Sequence, residues 1–177
     1  MATCLLLFVA GFETTVNLIG NGVLALLRNP DQLERFHADP ELAPNLVEEV
    51  LRYDPPVQRT GRVVQQELEF GGTALRPGEM VLFLLAAANR DPRAFPRPDR
   101  FDIGRDRARE HLAFSAGIHY CLGASLSRME GDVAFRALRE RLPRMRLAGP
   151  VRRRPSQIVR GPLHMPLRLE QPVSNPV

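Results

Sequence analysis

The residue types from Phe114 to Gly123 could hold a metal ion or a metal-containing cofactor. The segment reads Phe-Ser-Ala-Gly-Ile-His-Tyr-Cys-Leu-Gly and brings one cysteine, Cys121, directly before a run that favours a helix. A helix N-terminus carries positive potential and free N–H groups, which stabilise a thiolate sulfur. A thiolate is the form of cysteine that binds metal, and it is one of the axial ligands that proteins give to haem. Because Cys121 has no Cys-x-x-Cys partner, the sequence favours a cofactor with a single protein ligand over a structural zinc site.

This segment resembles the haem-binding loop of the cytochrome P450 family, the haem-thiolate monooxygenases. The family pattern Phe-x-x-Gly-x-His/Arg-x-Cys-x-Gly is matched at five positions: Phe114, Gly117, His119, Cys121 and Gly123. Ser115 departs from the pattern, since the family often has glycine there. The resemblance implies that Cys121 ligates the iron of haem b, and that His119 and Arg62 bind the haem propionates. The alternative is a structural cysteine in the core beside a solvated histidine.

A second segment, Ala10-Gly11-Phe12-Glu13-Thr14-Thr15, lies inside the first predicted helix. A glycine here costs helix stability but lets a planar ligand approach the backbone closely, and Thr14 can hydrogen-bond locally and distort the helix. The resemblance implies that Ala10 and Gly11 line the oxygen-binding side of the haem. It also implies that Thr14 stabilises the iron-bound peroxo or hydroperoxo species, and that Glu13 belongs to the proton-delivery network. Taken alone, these residues are more typical of a helix with ordinary threonines and an exposed acid.

A third pattern, Glu49-Val50-Leu51-Arg52, places an acid and a base on one helix face. It matches the Glu-x-x-Arg pair of the family, and Pro98-Asp-Arg-Phe101 matches the run that carries its meander arginine. The resemblance therefore implies a buried structural triad of Glu49, Arg52 and Arg100.

The resemblance also implies a substrate pocket above the haem. Its candidate lining residues are apolar or small, as expected for an apolar small molecule: Phe12, Thr15, Val57, Ile158 and Val159. Plain core packing is the equal alternative for these side chains.

Composition limits the remaining function classes. The chain has 177 residues, a net charge of +4 and no lysine, with every basic residue an arginine. The arginines are dispersed and aromatic residues are few, which argues against a nucleic-acid-binding surface. Cys4 and Cys121 are far apart, so we expect no disulfide and a reducing cytoplasm. The apolar start, Met1–Ala10, is too short for a bilayer span and has no basic flank, which predicts a buried helix and no membrane association.

Hydrophobic periodicity and proline positions predict the order of the elements. Helices are expected over 3–27, 31–37, 44–53 and 122–142, and short strands over 57–64, 68–70, 79–85, 145–147, 158–159 and 165–169. Residues 90–105 are rich in proline, arginine and aspartate and predict an irregular meander. The predicted fold is mainly α with small β-sheets.

The order of these elements resembles the C-terminal half of the P450 fold over residues 1–170, followed by a disordered tail, 171–177. The resemblance implies the oxygen-binding helix, the Glu-x-x-Arg helix, the meander, the cysteine loop and the long helix after the cysteine. It also implies O2 and an apolar organic substrate, with NAD(P)H-derived electrons delivered by a ferredoxin-type partner. The alternatives are a non-catalytic remnant that is unstable or only binds haem and, more remotely, a zinc or copper site made of His111, His119 and Cys121.

Overall fold

Helix α1, Ala2–Arg28, opens the computed structural model, which describes residues 2–171. It confirms the long helix predicted over 3–27, but the prediction that the start of this helix is buried is wrong, because Leu7 and Phe8 are 53% and 77% exposed. The helix ends where the Asn29 amide donates to the Ala25 carbonyl (2.8 Å) and Pro30 begins the next helix, since a proline suits the first turn of a helix, where its missing N–H costs nothing. No helix within residues 2–171 is long and apolar enough to cross a membrane.

The other helices follow the prediction except at their ends. They are α2 (Pro30–Ala38), α3 (Ala43–Tyr53), α4 (Leu85–Ala88) and α5 (Ala124–Leu138). Helix α4 was not predicted, and α5 stops four residues before the predicted end at Leu142. The early stop has a tertiary cause: Arg139 donates to the His37 carbonyl of α2 and Leu142 is fully buried, so the chain leaves the helical path to dock on α2.

The strands within residues 2–171 form four antiparallel two-stranded sheets. Their members are β1 (Thr60–Val63) with β4 (Met80–Phe83), β2 (Leu68–Phe70) with β3 (Thr73–Leu75), β5 (Met145–Leu147) with β8 (Leu167–Leu169), and β6 (Arg152–Arg153) with β7 (Pro162–His164). The sequence missed β3, β6 and β7. The strand predicted over 158–159 is wrong, because Val159 makes only an isolated bridge to Val57.

The core lies where α1, α3 and α5 cross. Leu18, Leu46, Val50 and Phe135 have no exposed surface there. Gly22 of α1 makes this packing possible, since an added Cβ would lie 2.3 Å from the Phe135 ring. The C-terminal half of α1 is therefore held against both other helices.

A buried ion pair connects α3 to the irregular meander, residues 90–105. Arg52 donates to both carboxylate oxygens of Glu49 (2.7 and 2.9 Å), and neither side chain has any exposed surface. The other N–H groups of Arg52 donate to meander-side carbonyls of Asn89, Pro98 and Arg100 at 2.8–3.1 Å. All five guanidinium N–H groups thus have acceptors, which offsets the cost of burying the charges.

The third member of the triad is Arg105, so the assignment of Arg100 from the resemblance is wrong. Arg105 donates from Nε to Glu49 at 3.1 Å, and its side chain is 11% exposed. Arg100 is exposed and contributes only its carbonyl oxygen, which accepts from Arg52 and Arg105. The backbone path of the meander turns the Arg100 side chain outward and the Arg105 side chain inward, and residue spacing alone does not reveal that path.

Two glycines of α1 should respond oppositely to alanine. Gly22→Ala should lower the free energy of unfolding by about 1–3 kcal/mol, because the new methyl group collides with the buried Phe135 ring. Gly11→Ala should raise the free energy of unfolding by up to about 1 kcal/mol, because alanine favours the helix and the added Cβ would meet no neighbouring atom within 4 Å. Urea denaturation measures both changes, and effects of the same sign would contradict this packing.

The corrected triad gives a second pair of variants. Arg105→Gln should lower the free energy of unfolding by about 2–3 kcal/mol, because the buried Glu49 carboxylate loses a charged donor. Arg100→Gln is the control and should change it by no more than about 0.5 kcal/mol, since only its backbone is used. A larger loss for Arg100→Gln than for Arg105→Gln in denaturant titrations would restore the original assignment.

Candidate functional site

Cys121 lies in an exposed loop three residues before the start of α5. Its backbone N–H donates to the Phe114 carbonyl (3.0 Å), and its carbonyl accepts from the N–H of Ala124 (3.2 Å). The first hydrogen bond closes the loop between Phe114 and Cys121, and the second joins the cysteine to the first residue of the helix. The thiol therefore sits at an exposed helix start, as the sequence predicts.

The loop turns through two residues with left-handed backbone, Ser115 (φ 62°) and Gly117 (φ 66°). Glycine adopts this conformation without strain, whereas a residue with a Cβ does so at a cost. Ser115 therefore departs from the family pattern at a position where the left-handed backbone favours glycine. Hydrogen bonds from the Ser115 N–H to Leu112 (2.8 Å) and from the Tyr120 N–H to Gly117 (3.0 Å) hold the turns.

Phe114 anchors the start of this loop in the core. It is 8% exposed, and the Arg128 guanidinium of α5 lies 4.7 Å from the centre of its ring. The rings of His111 and Tyr120 lie 5.6 and 6.3 Å away. Phe114 therefore packs against residues from both flanks of the cysteine.

Arg62 and His119 line one cavity of about 320 Å³, although 57 positions separate them in the chain. Strand β1 presents Arg62, whose Nη1 donates to the Thr60 hydroxyl (3.1 Å) and the Gly61 carbonyl (2.8 Å). The cysteine loop presents His119 from the other side. A guanidinium and an imidazole in one cavity suit the binding of carboxylates.

Large apolar side chains around the loop are exposed. Ile118 is 97% exposed and Leu122, next to the cysteine, is 88% exposed, and Phe12 of α1 is also exposed. A thiol, a guanidinium, an imidazole and open apolar surface match the chemistry of haem, which has an iron, two propionates and an apolar ring. The residues present therefore fit this group.

Three polar residues of α1, Glu13, Thr14 and Thr15, each have a defined partner. The Thr14 hydroxyl donates to the Ala10 carbonyl (2.7 Å), which is the local hydrogen bond expected from the sequence. The Thr15 hydroxyl donates to Glu130 of α5 (3.0 Å). Glu13 forms an ion pair with Arg154 (3.0 Å), which the sequence did not predict because 141 positions separate the two residues.

The candidate substrate residues are brought together only in part. Val57 pairs with Val159, and the Gln58 N–H donates to the Ile158 carbonyl at 2.8 Å. Ile158 is 54% exposed. These contacts join the segment after α3 to the tail, whereas Thr15 of α1 makes its hydrogen bond to α5.

Glu48 is the main residue of the site that the sequence analysis missed. Its carboxylate meets Nε2 of His111 (3.0 Å) and Nε of Arg128 (2.7 Å). Burial alone would raise the pKa of Glu48, but hydrogen bonds from His111 and Arg128 outweigh it and hold that pKa below its usual range. A usable signal was present, since Arg128 follows Ala124, the first residue of α5, by four residues, about one helical turn, and therefore lies near the loop that enters this helix.

The zinc or copper alternative has no support in the described part of the chain. Within it, no three histidine, cysteine, aspartate or glutamate side chains lie close enough together to hold a metal ion. His111, one of the three candidate ligands, directs its Nε2 at Glu48 instead.

Known proteins resemble this chain in sequence and in fold. The family model described as cytochrome P450 matches residues 1–141. "Putative cytochrome P450 140" of Mycobacterium tuberculosis is 52% identical over 164 residues, which are 93% of this chain and 37% of that protein. The 6-deoxyerythronolide B hydroxylase of Saccharopolyspora erythraea is 48% identical over 169 residues, 94% of this chain and 42% of the hydroxylase.

A solved structure agrees with the sequence matches. P450BioI, crystallised with a hexadec-9Z-enoic acid ligated acyl carrier protein, superposes with a TM-score of 0.90 at 46% identity. The match covers 94% of this chain and 44% of P450BioI. The chain thus spans only about two fifths of the length of these relatives. Its sequence, its fold and its cysteine loop together show that it belongs to the cytochrome P450 family.

Proposed function

We propose that this chain binds haem through the Cys121 thiolate and forms the oxygen-activating part of a monooxygenase that inserts one oxygen atom of O2 into an apolar organic substrate. The single observation that carries the proposal is the exposed cysteine at the start of α5, with Arg62 and His119 in a neighbouring cavity. When bound, the haem would supply the iron that activates O2. The chain itself would bind the haem, orient the substrate and handle the protons of the reaction.

The cysteine loop and strand β1 would both contribute residues to haem binding. Cys121 would provide the sulfur ligand of the iron, while Arg62 and His119 would pair with the two carboxylates of the cofactor. Ile118 and Leu122 would cover apolar edges of the ring and exclude water from it. Gly11, beside which a Cβ would meet no atom within 4 Å, leaves room for close approach along α1.

Proton handling is assigned to Thr14 and Glu13. The Thr14 hydroxyl donates its own proton to the Ala10 carbonyl, so its oxygen can accept a hydrogen bond from a second group. Glu13 forms an ion pair with Arg154, so its carboxylate can take up and pass on a proton only when that pair opens. We therefore assign Arg154 the role of holding Glu13 away from the reaction between turnovers.

The source of electrons and the substrate are proposed by class. Electrons from NAD(P)H would arrive through a ferredoxin-type protein. An apolar substrate agrees with the exposed apolar side chains of Phe12 and Ile158. It also agrees with P450BioI, which was crystallised with an acyl carrier protein ligated with hexadec-9Z-enoic acid.

One observation favours a second candidate function, a chain that binds haem without catalysis or is unstable alone. Helices α1 and α5 carry exposed large apolar side chains, among them Leu7, Phe8, Val16, Leu126, Met129 and Val133. Apolar surface of this extent marks an interaction site or a risk of aggregation. The chain also covers only 37–44% of the relatives described above.

Haem titration tests the assignment of the ligand. The reduced, carbon monoxide-treated holo-protein should show the thiolate-type Soret band, and Cys121→Ala should abolish it because alanine offers no sulfur. Cys4→Ala is the matched control, since Cys4 is also exposed, and it should leave the band unchanged. Retention of the band in Cys121→Ala would refute the assignment.

Oxygen uptake separates the two candidates. With haem, NADPH, ferredoxin, ferredoxin reductase and an apolar test substrate, the monooxygenase proposal expects O2 consumption together with oxygenated substrate, and Thr14→Ala should lower the rate of product formation at least tenfold because the variant loses its hydroxyl. The matched control is Thr73→Ala in β3, which should not alter the rate. A chain that binds haem and consumes no O2 above the haem-free level would favour the non-catalytic candidate.

A further inference from the structure

Glu48 connects the two flanks of the cysteine loop. It lies on α3, and its carboxylate accepts a hydrogen bond from Arg128 Nε at 2.7 Å and contacts His111 Nε2 at 3.0 Å. His111 precedes Cys121 by ten residues and Arg128 follows it by seven. The side chains of His111, Glu48 and Arg128 are 1%, 10% and 20% exposed. One buried acid therefore holds both sides of an otherwise exposed loop.

The donor of each hydrogen bond to Glu48 is known, because Arg128 can only donate and a backbone N–H determines the tautomer of His111. The Ala113 N–H, which can only donate, points at Nδ1 of His111 (3.1 Å). Nδ1 must then be an acceptor, so the ring proton is on Nε2 and is donated to Glu48. The arrangement therefore requires an acceptor oxygen at Glu48 on the side of His111 and another on the side of Arg128.

The two hydrogen bonds of Glu48, to His111 and to Arg128, form a clamp on the loop. Phe114 connects this clamp to the cysteine. Its ring lies between His111 (5.6 Å between centroids) and the Arg128 guanidinium (4.7 Å). Its carbonyl accepts the Cys121 N–H at 3.0 Å. Arg128 also donates to the hydroxyl of Tyr120, the residue before the cysteine, at 3.1 Å. Loss of the hydrogen bond from Glu48 to His111 or to Arg128 would therefore release a contact next to Cys121.

The pair of Asp132 and Arg136, which lies entirely within α5, serves as a comparison for the pair of Glu48 and Arg128. Asp132 accepts from Arg136 one helical turn later at 2.9 Å, and both side chains are about one-third exposed. This pair has no contact with the loop among the described hydrogen bonds. Its two members are on one helix, whereas Glu48 joins three separate segments of the chain.

We propose that Glu48 is a positioning residue for the Cys121 sulfur, acting through His111, Arg128 and Phe114. The proposal rests on the proposed function, because its purpose is to hold the ligand of the haem iron. The clamp itself is a property of the chain without cofactor and can be measured there.

Glu48→Gln is the decisive variant, because a glutamine has one acceptor oxygen and one NH2 group. Whichever way its amide turns, the NH2 group opposes a donor on His111 or on Arg128. Amide hydrogen exchange at Cys121 and Ala113 should accelerate about tenfold or more, while exchange at Leu24 and Phe135 in the core should change much less. Asp132→Asn is the matched control and should leave the Cys121 and Ala113 rates unchanged.

The proposal is overturned if Glu48→Gln leaves both loop amides unchanged, or if it accelerates the loop and the core equally. Should that variant not fold, Arg128→Lys serves instead, because it keeps the charge but loses the flat guanidinium over Phe114 and its Nε donor. It should accelerate Cys121 exchange in the same way, and an unchanged rate would again refute the clamp.

The haem-loaded protein provides the second readout. Glu48→Gln should lower the fraction of reduced protein that shows the thiolate-type carbon monoxide band, whereas Asp132→Asn should not. If the unsubstituted chain takes up no haem, the proposed function fails, and hydrogen exchange still decides the clamp. Faster exchange with an unaltered band would show that the loop is held but that the sulfur is positioned without Glu48, which also overturns the proposal.

Discussion

The buried pair of Glu49 and Arg52, completed by Arg105, is the interaction on which the rest of the structure depends. The meander has no helix or strand to satisfy its backbone, and buried carbonyl groups without donors are costly. The two arginines donate to carbonyls from Asn89 to Arg100 and thus replace the missing secondary structure. Because the Glu49 carboxylate balances both guanidinium charges in part, the meander folds back onto α3.

The next residue along the same helix serves the other side of the molecule. Adjacent helix residues project about 100° apart, so Glu48 and Glu49 reach different neighbours. Glu49 reaches the meander, and Glu48 reaches His111 and Arg128 around the cysteine loop. One turn of α3 therefore positions both irregular segments of the chain, and the packing of α3 on α1 and α5 connects them to the core.

Sequence patterns predicted the elements well where local chemistry decides them. Prolines after Asn29 and Asp54 marked helix ends correctly, and the spacing from Phe114 to Gly123 identified the cysteine loop. Patterns failed where distant contacts decide: the docking of Leu142 ended α5 early, and β6 and β7 formed from segments without a clear alternation. The meander arginine was misassigned because Arg100 and Arg105 differ in backbone direction and not in residue type.

The sequence by itself determined the chemistry available to this protein. It supplies one cysteine before a helix, a glycine and two threonines in the segment Ala10–Thr15, and a set of arginines without any lysine. The tertiary structure alone decided which of these groups meet. It brought Arg62 to His119, Arg154 to Glu13, and Glu48 to both flanks of Cys121. The physical reason is that residue type and spacing specify local geometry, while contacts between distant residues follow from how the helices pack.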